Sequence, residues 1–420
     1  MESYADKKLY GLTGPQQLIY VMQSRYNGRG CTLCCALLMK GQRPEAEITA
    51  ALNELFRIND ALRTRIVHED GMPRQYIADY EPQRFEVMRL QSDSEIDAFA
   101  EEELQRGVPF DGQLCELRII QLPDRYGVFV TCHHIITDVW GIAVLGNQFI
   151  ALMHGETPEA YTVTDFFERD AQYRASGRAA RDRQFFIDQY NKIGEPRFFP
   201  IAGEGETEQI GKRAFTLPAA DMRAVERFAA ERNASPFAVM FAALSVMAAR
   251  HIGKDAFLMA LMSLNRVGHR ERHSLGMHVE SVPAYCSVDP DASFADHVAA
   301  TSAELLATMR HAQYGYAAIL TDLFLEHNMM SNAYDMSLNA FNARIDTRGG
   351  AEIRQYPYPG NGYGLHISTS DLTGSGELRM EYSYRISPRE PTIDELHAEL
   401  VSILMDGVAH EDRPLRELGR

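Results

Sequence analysis

Cysteine is scarce: six residues in 420, at positions 31, 34, 35, 115, 132 and 286, make no disulfide framework. A reduced, cytoplasmic setting is therefore expected. Cys31 and Cys34 have the two-residue gap of a metal or redox pair, but no second pair completes it, so both are read as core. Long apolar runs are also missing. The longest, Pro236 to Ala249, falls short of the roughly 20 residues that a bilayer-spanning helix needs, and is read as a buried helix. The opening MESYADKKLYGL holds no apolar core of a signal peptide. Basic residues are outnumbered, 42 against 58 acidic, and the net charge of −16 disfavours non-specific nucleic-acid binding. Neither a phosphate-cradling GxxxxGK[ST] nor a GxGxxG after a strand occurs, and GxSxG and HExxH are likewise lacking. These gaps leave no nucleic-acid, membrane or metal role expected.

The hydrophobic share, 45% of 420 residues, is enough for a large core and more than one core usually supports, so two lobes are expected. Thr13, Gly14 and Pro15 precede a first helix around Leu18 to Met22. Cys31 to Met39 is nearly continuous apolar chain suited to a buried strand, and Ile48 to Phe56 has helical spacing. A strand near Phe85 to Leu90, a helix over Glu95 to Leu104, and strands at Cys115 to Gln121 and Gly127 to Cys132 follow. Helical periodicity returns at Gly141 to Met153. Between Glu168 and Gly205 the charged, then proline-containing composition reads as a linker. Arg174, Arg178, Arg181 and Arg183 there are read as a solvated helix face, with an acidic docking partner as the sharper alternative. Ser235 and Pro236 start a further helix. Alternation at Leu365 to Ser370 and Glu377 to Tyr384 implies antiparallel or mixed pairing. Strands and helices mixed in both halves favour an α/β sandwich in each, over residues 1–175 and 176–420.

The segment Val130-Thr131-Cys132-His133-His134-Ile135-Ile136-Thr137-Asp138-Val139-Trp140-Gly141 carries the chemistry. On an extended chain, neighbouring side chains point to opposite faces, so one histidine is expected to be structural and the other available. Imidazole suits proton transfer at neutral pH. Paired histidines are also found as plain core residues, and Cys132 is read as core. A zinc site of His133, His134 and Asp138 is disfavoured because the two histidines diverge.

This segment resembles the HHxxxDG motif of nonribosomal peptide synthetase condensation domains, relatives of chloramphenicol acetyltransferase. Other stretches are similar to family motifs in the same order. Leu12-Thr13-Gly14-Pro15-Gln16-Gln17 resembles the opening motif, and Arg57 to Thr64 resembles RHExLRT, with Asn59 and Asp60 departing at its centre. Pro109-Phe110-Asp111 matches PFD. Asn265-Arg266 and Leu275 to Val279 resemble the NR and IGMFV segments, His278 replacing an aromatic. Met309 to Tyr316 is similar to LRHQxYPY, and Tyr334 to Asn342 to YDxxxSYQN, with Asn339, Ala340 and Phe341 replacing serine, tyrosine and glutamine.

The resemblance implies two chloramphenicol-acetyltransferase-like α/β sandwich lobes in a V-shaped pseudodimer, with a tunnel holding the catalytic histidine. It implies His134 as that histidine, His133 as structural support, and Asp138 as an organiser paired to an arginine, for which Arg63 is the expected partner. Val139 stands where glycine is common, and with Trp140, Gly141 and Asn342 it is expected near the tunnel or the developing oxyanion. The implied reaction is amide formation from a carrier-bound phosphopantetheine thioester and an amine, including starter N-acylation. An ester-forming or free-acceptor acyltransferase, a silent recruitment module and an epimerase are the alternatives. Donor and acceptor peptidyl carrier proteins and other synthetase domains are the implied partners of a monomer with no permanently bound cofactor. The 420 residues hold no carrier or adenylation motif, so carriers are expected in trans or beyond these residues, and a freestanding protein and an excised N-terminal domain both fit.

Overall fold

The computed structural model describes residues 4–25, 31–194, 196, 199, 210–329, 331–341, 343–356, 364–371, 375–385 and 391–420. The chain forms two compact units. The first comprises Met1–Ser176, Leu264–Val279 and Ala343–Pro359; the second comprises Gly177–Ser263, Glu280–Asn342 and Gly360–Arg420. A single division near residue 175 does not describe this arrangement, because two later stretches return to the first unit. The reason is physical: one of them supplies a sheet-edge strand, the other an arginine for a buried carboxylate.

In the first unit a five-stranded sheet runs in the order Glu352–Tyr356, Thr32–Lys40, Arg125–His133, Cys115–Gln121, Val87–Arg89. All neighbours are antiparallel except the last pair. The strand Thr32–Lys40 reads as continuous apolar sequence because both of its faces are covered. Cys35, Leu37 and Met39 enter one core with Ile48, Leu52, Leu55 and Phe149, while Cys34, Ala36 and Leu38 enter another with Ile96 and Ala100. The helix Glu45–Ile58 buries Ile48, Ala51, Leu52, Leu55 and Phe56, the i, i+3, i+4, i+7, i+8 stripe of an amphipathic helix. A smaller sheet orders Tyr10–Gly11, Met72–Ile77 and Thr64–Glu69.

The second unit has a six-stranded sheet, ordered Glu280–Ser287, Ala256–Ser263, Met336–Phe341, Leu365–Ser370, Leu378–Arg385, Ile210–Leu217. Met336–Phe341 runs parallel to both neighbours and the other pairs are antiparallel, the mixed pairing that the late alternation predicts. The helix Pro236–Ile252 is buried without interruption from Ala238 to Ala249. Such all-round burial marks a central helix. Ser235 caps it by accepting from the Ala238 amide, and Gly253 ends it at φ 69°, where a side chain would be strained. No single helix among the described residues is long and apolar enough to cross a membrane.

The expected linker is instead largely helical, with helices at Thr164–Arg174 and Gly177–Ile193. Charged composition misleads here because the charges are paired on packed helices. Arg174 binds Asp170, Arg178 binds Asp182, and Arg183 binds Asp322 and Glu326. Of the four arginines, Arg181 alone is exposed without such a partner among the described residues, so the group does not form a free cationic face.

Candidate active site

The strand Arg125–His133 ends where His133 enters the sheet's last register position, opposite Thr32. The chain then turns through a short 3-10 segment, His134–Ile136, into the helix Val139–Met153. This change of backbone separates the two imidazoles. His133 is fully buried against the Phe110 ring, centroids 4.6 Å apart, and its Nδ1 accepts from the Ile135 amide at 3.0 Å. Burial, then the neighbouring His134, pushes its pKa down to about 3. A neutral ring with an unprotonated Nδ1 carries its proton on Nε2. His133 therefore caps the turn and does not titrate near neutrality.

His134 has the opposite tautomer. Its Nδ1 lies 2.9 Å from the Thr137 carbonyl oxygen, which can only accept, so Nδ1 holds the proton and Nε2 presents a lone pair. The ring is half-buried, and Nε2 has no hydrogen-bond partner among the described residues. The His134 amide donates to the Cys31 carbonyl at 2.6 Å. Gln16 steadies the same turn by donating to the Ile135 carbonyl at 3.0 Å and to Gln75 Oε1 at 2.8 Å. The opening motif thus supports the histidine turn from outside it. Cys132 is buried and burial raises its pKa well above the ordinary thiol value, which keeps it an unreactive core residue.

Asp138 caps the helix Val139–Met153 by accepting from the Gly141 amide at 2.8 Å. It also accepts from the His278 and Val279 amides, each at 3.0 Å. Arg266 holds it in a bidentate pair at 2.7 and 3.0 Å, with both side chains almost fully buried. Burial alone would raise the Asp138 pKa, but the charge and hydrogen bonds of Arg266 overcome it and hold the pKa at about 2. Arg266 in turn donates to the Glu271 and Gly276 carbonyls. The arginine expected here, Arg63, is not the partner: it donates to the Phe56 and Ala78 carbonyls at 3.0 and 2.6 Å. Membership of the matched arginine motif favours Arg63. The loop Leu264–Val279, distant in sequence, brings Arg266 instead; its place in the NR segment marks the residue, but nothing local ties it to Asp138.

His278, where the resemblance implies an aromatic, keeps an aromatic's packing. Its ring is fully buried 4.1 Å from that of Phe166, and burial, followed by Arg266, lowers its pKa far below the usual histidine value. Asn59 and Asp60, the departures in the arginine motif, also have structural tasks. Asn59 donates to Gln148 Oε1 at 2.8 Å, and Asp60 accepts from the Val163 amide at 2.8 Å.

Val139 is the first helical residue and is half-buried; Trp140 donates its indole N–H to the Arg272 carbonyl at 2.9 Å. Gly141 has a stricter requirement, because a Cβ there would stand 2.2 Å from Thr137 Oγ1 and 3.2 Å from a Leu275 methyl. Asn342 lies outside the described residues. Replacing Gly141 by alanine must displace Thr137, whose carbonyl orients His134. Any rate that depends on the placement of the His134 ring is expected to fall about a hundred-fold with the fold retained, as for a misplacement on the order of 1 Å; single-turnover kinetics beside a circular-dichroism melt check this. Asp138→Asn strands the Arg266 charge but keeps the shape, so a loss of roughly 3 kcal/mol of stability is expected. Urea unfolding measures it, and an unchanged midpoint would remove this pair from the architecture.

The site thus joins a tautomer-fixed imidazole on a short turn to a helix whose start is held by a buried carboxylate–arginine pair, on an α/β scaffold. The chain belongs to the condensation domain family, whose sequence profile matches residues 6–419. Members of this family are acyltransferases that form amide bonds in nonribosomal peptide synthesis. Among curated proteins it is similar to surfactin synthase subunit 1 of Bacillus subtilis, 24% identical over 88% of this chain and 11% of that protein. It is also 22% identical to bacitracin synthase 3 of Bacillus licheniformis, over 100% of this chain and 7% of that protein. The chain thus spans a small fraction of the length of these relatives. Two solved structures share the fold. The starter condensation domain of rhizomide synthetase in complex with C8-CoA superposes at TM-score 0.82, with 20% identity over 98% of both chains. The condensation domain of the monacolin K polyketide synthase reaches 0.84, with 16% identity over 97% of this chain and 99% of the other.

Proposed function

We propose that this chain transfers an acyl or peptidyl group from a carrier-protein phosphopantetheine thioester to an acceptor amine, with His134 as the catalytic residue. The observation that supports this most is the tautomer: Nδ1–H is committed to the Thr137 carbonyl, leaving Nε2 as an acceptor for a proton. The amine nitrogen attacks the thioester carbonyl, and a C–N bond forms as the carbonyl becomes an oxyanion. The oxyanion then collapses, the C–S bond breaks, and the proton taken from the amine passes to the departing thiolate. A thioester is already activated, so holding the two reactants together supplies much of the acceleration. No covalent acyl-enzyme is required, in keeping with the inert, buried Cys132.

In this reading His133 shapes the turn, and Asp138 with Arg266 fixes the start of the following helix. Val139, Trp140 and Gly141 belong to the surroundings of the reacting carbonyl, and Arg63 only to the scaffold. Donor and acceptor carrier proteins bring the substrates on their own phosphopantetheine arms to a monomeric, cytoplasmic domain that holds no cofactor of its own. Intact-mass detection of product from acyl-loaded carrier protein and a panel of amine acceptors tests the proposal. Product with unaltered protein and little with His134→Ala supports it; equal product from both overturns it.

A further inference from the structure

The sequence carries no metal motif, yet the fold brings three ligand-type side chains together away from the histidine turn. Glu159, His269 and His273 each offer one donor atom, and the three atoms lie within 4.8 Å of one another. His269 Nε2 is 2.9 Å from both carboxylate oxygens of Glu159. The two imidazoles bracket the single helical turn His269–Arg272, with ring centroids 4.1 Å apart. From these contacts we infer that Glu159, His269 and His273 form a binding site for a divalent transition cation of the zinc class.

Three observations carry this beyond a surface ion pair. First, His273 is pre-set as a ligand: its Nδ1 donates to the His269 carbonyl at 2.8 Å, so a neutral ring leaves Nε2 unprotonated and free to coordinate. Outer hydrogen bonds of this kind fix tautomer and orientation at metal-binding histidines. Second, the carboxylate has its own outer partner, because the Tyr161 hydroxyl donates to Glu159 Oε1. Third, the backbone keeps the two halves of the site in place. Tyr161 and Ser274 form a parallel bridge, Gln148 donates to the Glu159 carbonyl at 2.9 Å, and Trp140 donates to the Arg272 carbonyl.

The ligand chemistry selects the cation. Two imidazoles and one carboxylate suit zinc and its neighbours rather than calcium or magnesium, which prefer all-oxygen sets. Donors at about 2.0–2.2 Å from zinc require the close His269–Glu159 pair to open and His273 to move in slightly, which partly exposed side chains allow. Arg270 is engaged elsewhere, pairing with Asp165 at 2.9 Å and lying over the Tyr161 ring, while Arg272 and Arg344 line the cavity beside the site. Three protein ligands leave a position for water or an exogenous group. Glu159 and His273 also line a cavity of about 260 Å³ with Trp140, Asn147 and Arg344. A bound cation would cross-link the loop that carries Arg266 to the segment that follows the helix Val139–Met153.

The test uses metal-stripped, tag-free full chain titrated with Zn²⁺ by calorimetry and with Co²⁺ by visible absorption. One equivalent is expected to bind, with a Co²⁺ d–d band of a four- or five-coordinate nitrogen and oxygen site. His273→Ala and Glu159→Gln are each expected to weaken binding at least tenfold, and Tyr161→Phe about tenfold through the lost outer hydrogen bond. These side chains are not core residues, and unchanged metal-free melting of each variant establishes that it folds. His269→Gln serves as a further ligand substitution if one of the others melts lower. Absence of binding to the unaltered protein, or equal affinity in His273→Ala and Glu159→Gln, overturns the site.

Discussion

Alanine at position 134 is expected to lower the rate of acyl transfer by about 10²–10⁴-fold, the range a positioned acid–base group contributes. The fold should survive. His134 is half-buried, and its side chain makes a single donation, to the Thr137 carbonyl, among the described residues, so its loss leaves one acceptor to water. The turn itself is held by groups that remain: the His134 amide on the Cys31 carbonyl, His133 on the Ile135 amide, and Gln16 on the Ile135 carbonyl. Uncatalysed aminolysis of the thioester continues in the variant, so residual product is expected at high acceptor concentration. Added imidazole should restore part of the lost rate if Nε2 moves a proton, because the vacated volume admits a ring. A drop in kcat that imidazole leaves untouched, together with a lowered melting point, would mark His134 as a scaffold residue instead.

The parts of this protein that sequence makes legible are those whose signal is local. The strand Thr32–Lys40 and the helix Pro236–Ile252 follow from apolar runs of the right length, and Ser235–Pro236 places a helix start to the residue. The divergence of His133 and His134 is readable from the two-residue period of a strand, although the structure achieves it by ending the strand and starting a 3-10 turn. What sequence hides is long-range. Arg266 is 128 residues from Asp138, and the choice between it and Arg63 depends on how the loop Leu264–Val279 returns to the first unit. The helices at Thr164–Arg174 and Gly177–Ile193 are obscured because their charges pair with Asp170, Asp182, Asp322 and Glu326. Composition registers the charges and not the partners. The His269 and His273 pair has a visible i, i+4 spacing, but Glu159, 110 residues before His269, gives that spacing a chemical meaning.

Acid is expected to destabilise the first unit well before its carboxylates titrate. His133, with a pKa of about 3, and His278, lowered far below the usual value, both stay neutral in the fold, whereas in the unfolded chain each takes up a proton near pH 6.5. Below that pH the unfolded state binds more protons, so stability falls as pH falls, by about 1.4 kcal/mol per pH unit for His133 and in the same direction for His278. At pH 5 His133 alone removes about 2 kcal/mol, and His278 adds to the loss in the same sense, against the roughly 5–15 kcal/mol that holds a typical domain. Asp60, whose pKa burial raises, works in the opposite sense and offsets part of the loss. Asp138 adds nothing in this window, because with a pKa of about 2 it remains ionised on both sides of the comparison. The chain has one tryptophan, Trp140, and it lies in the first unit, so its fluorescence follows that unit alone. Urea unfolding monitored at Trp140 should show a much lower midpoint at pH 5 than at pH 7.5. His133→Gln cannot be protonated in either state, so its midpoint should depend less on pH, with part of the acid-induced loss removed. A midpoint independent of pH over this range would mean that the two rings accept protons within the fold, and with them the fixed tautomer of His133 as the cap of the catalytic turn would be lost.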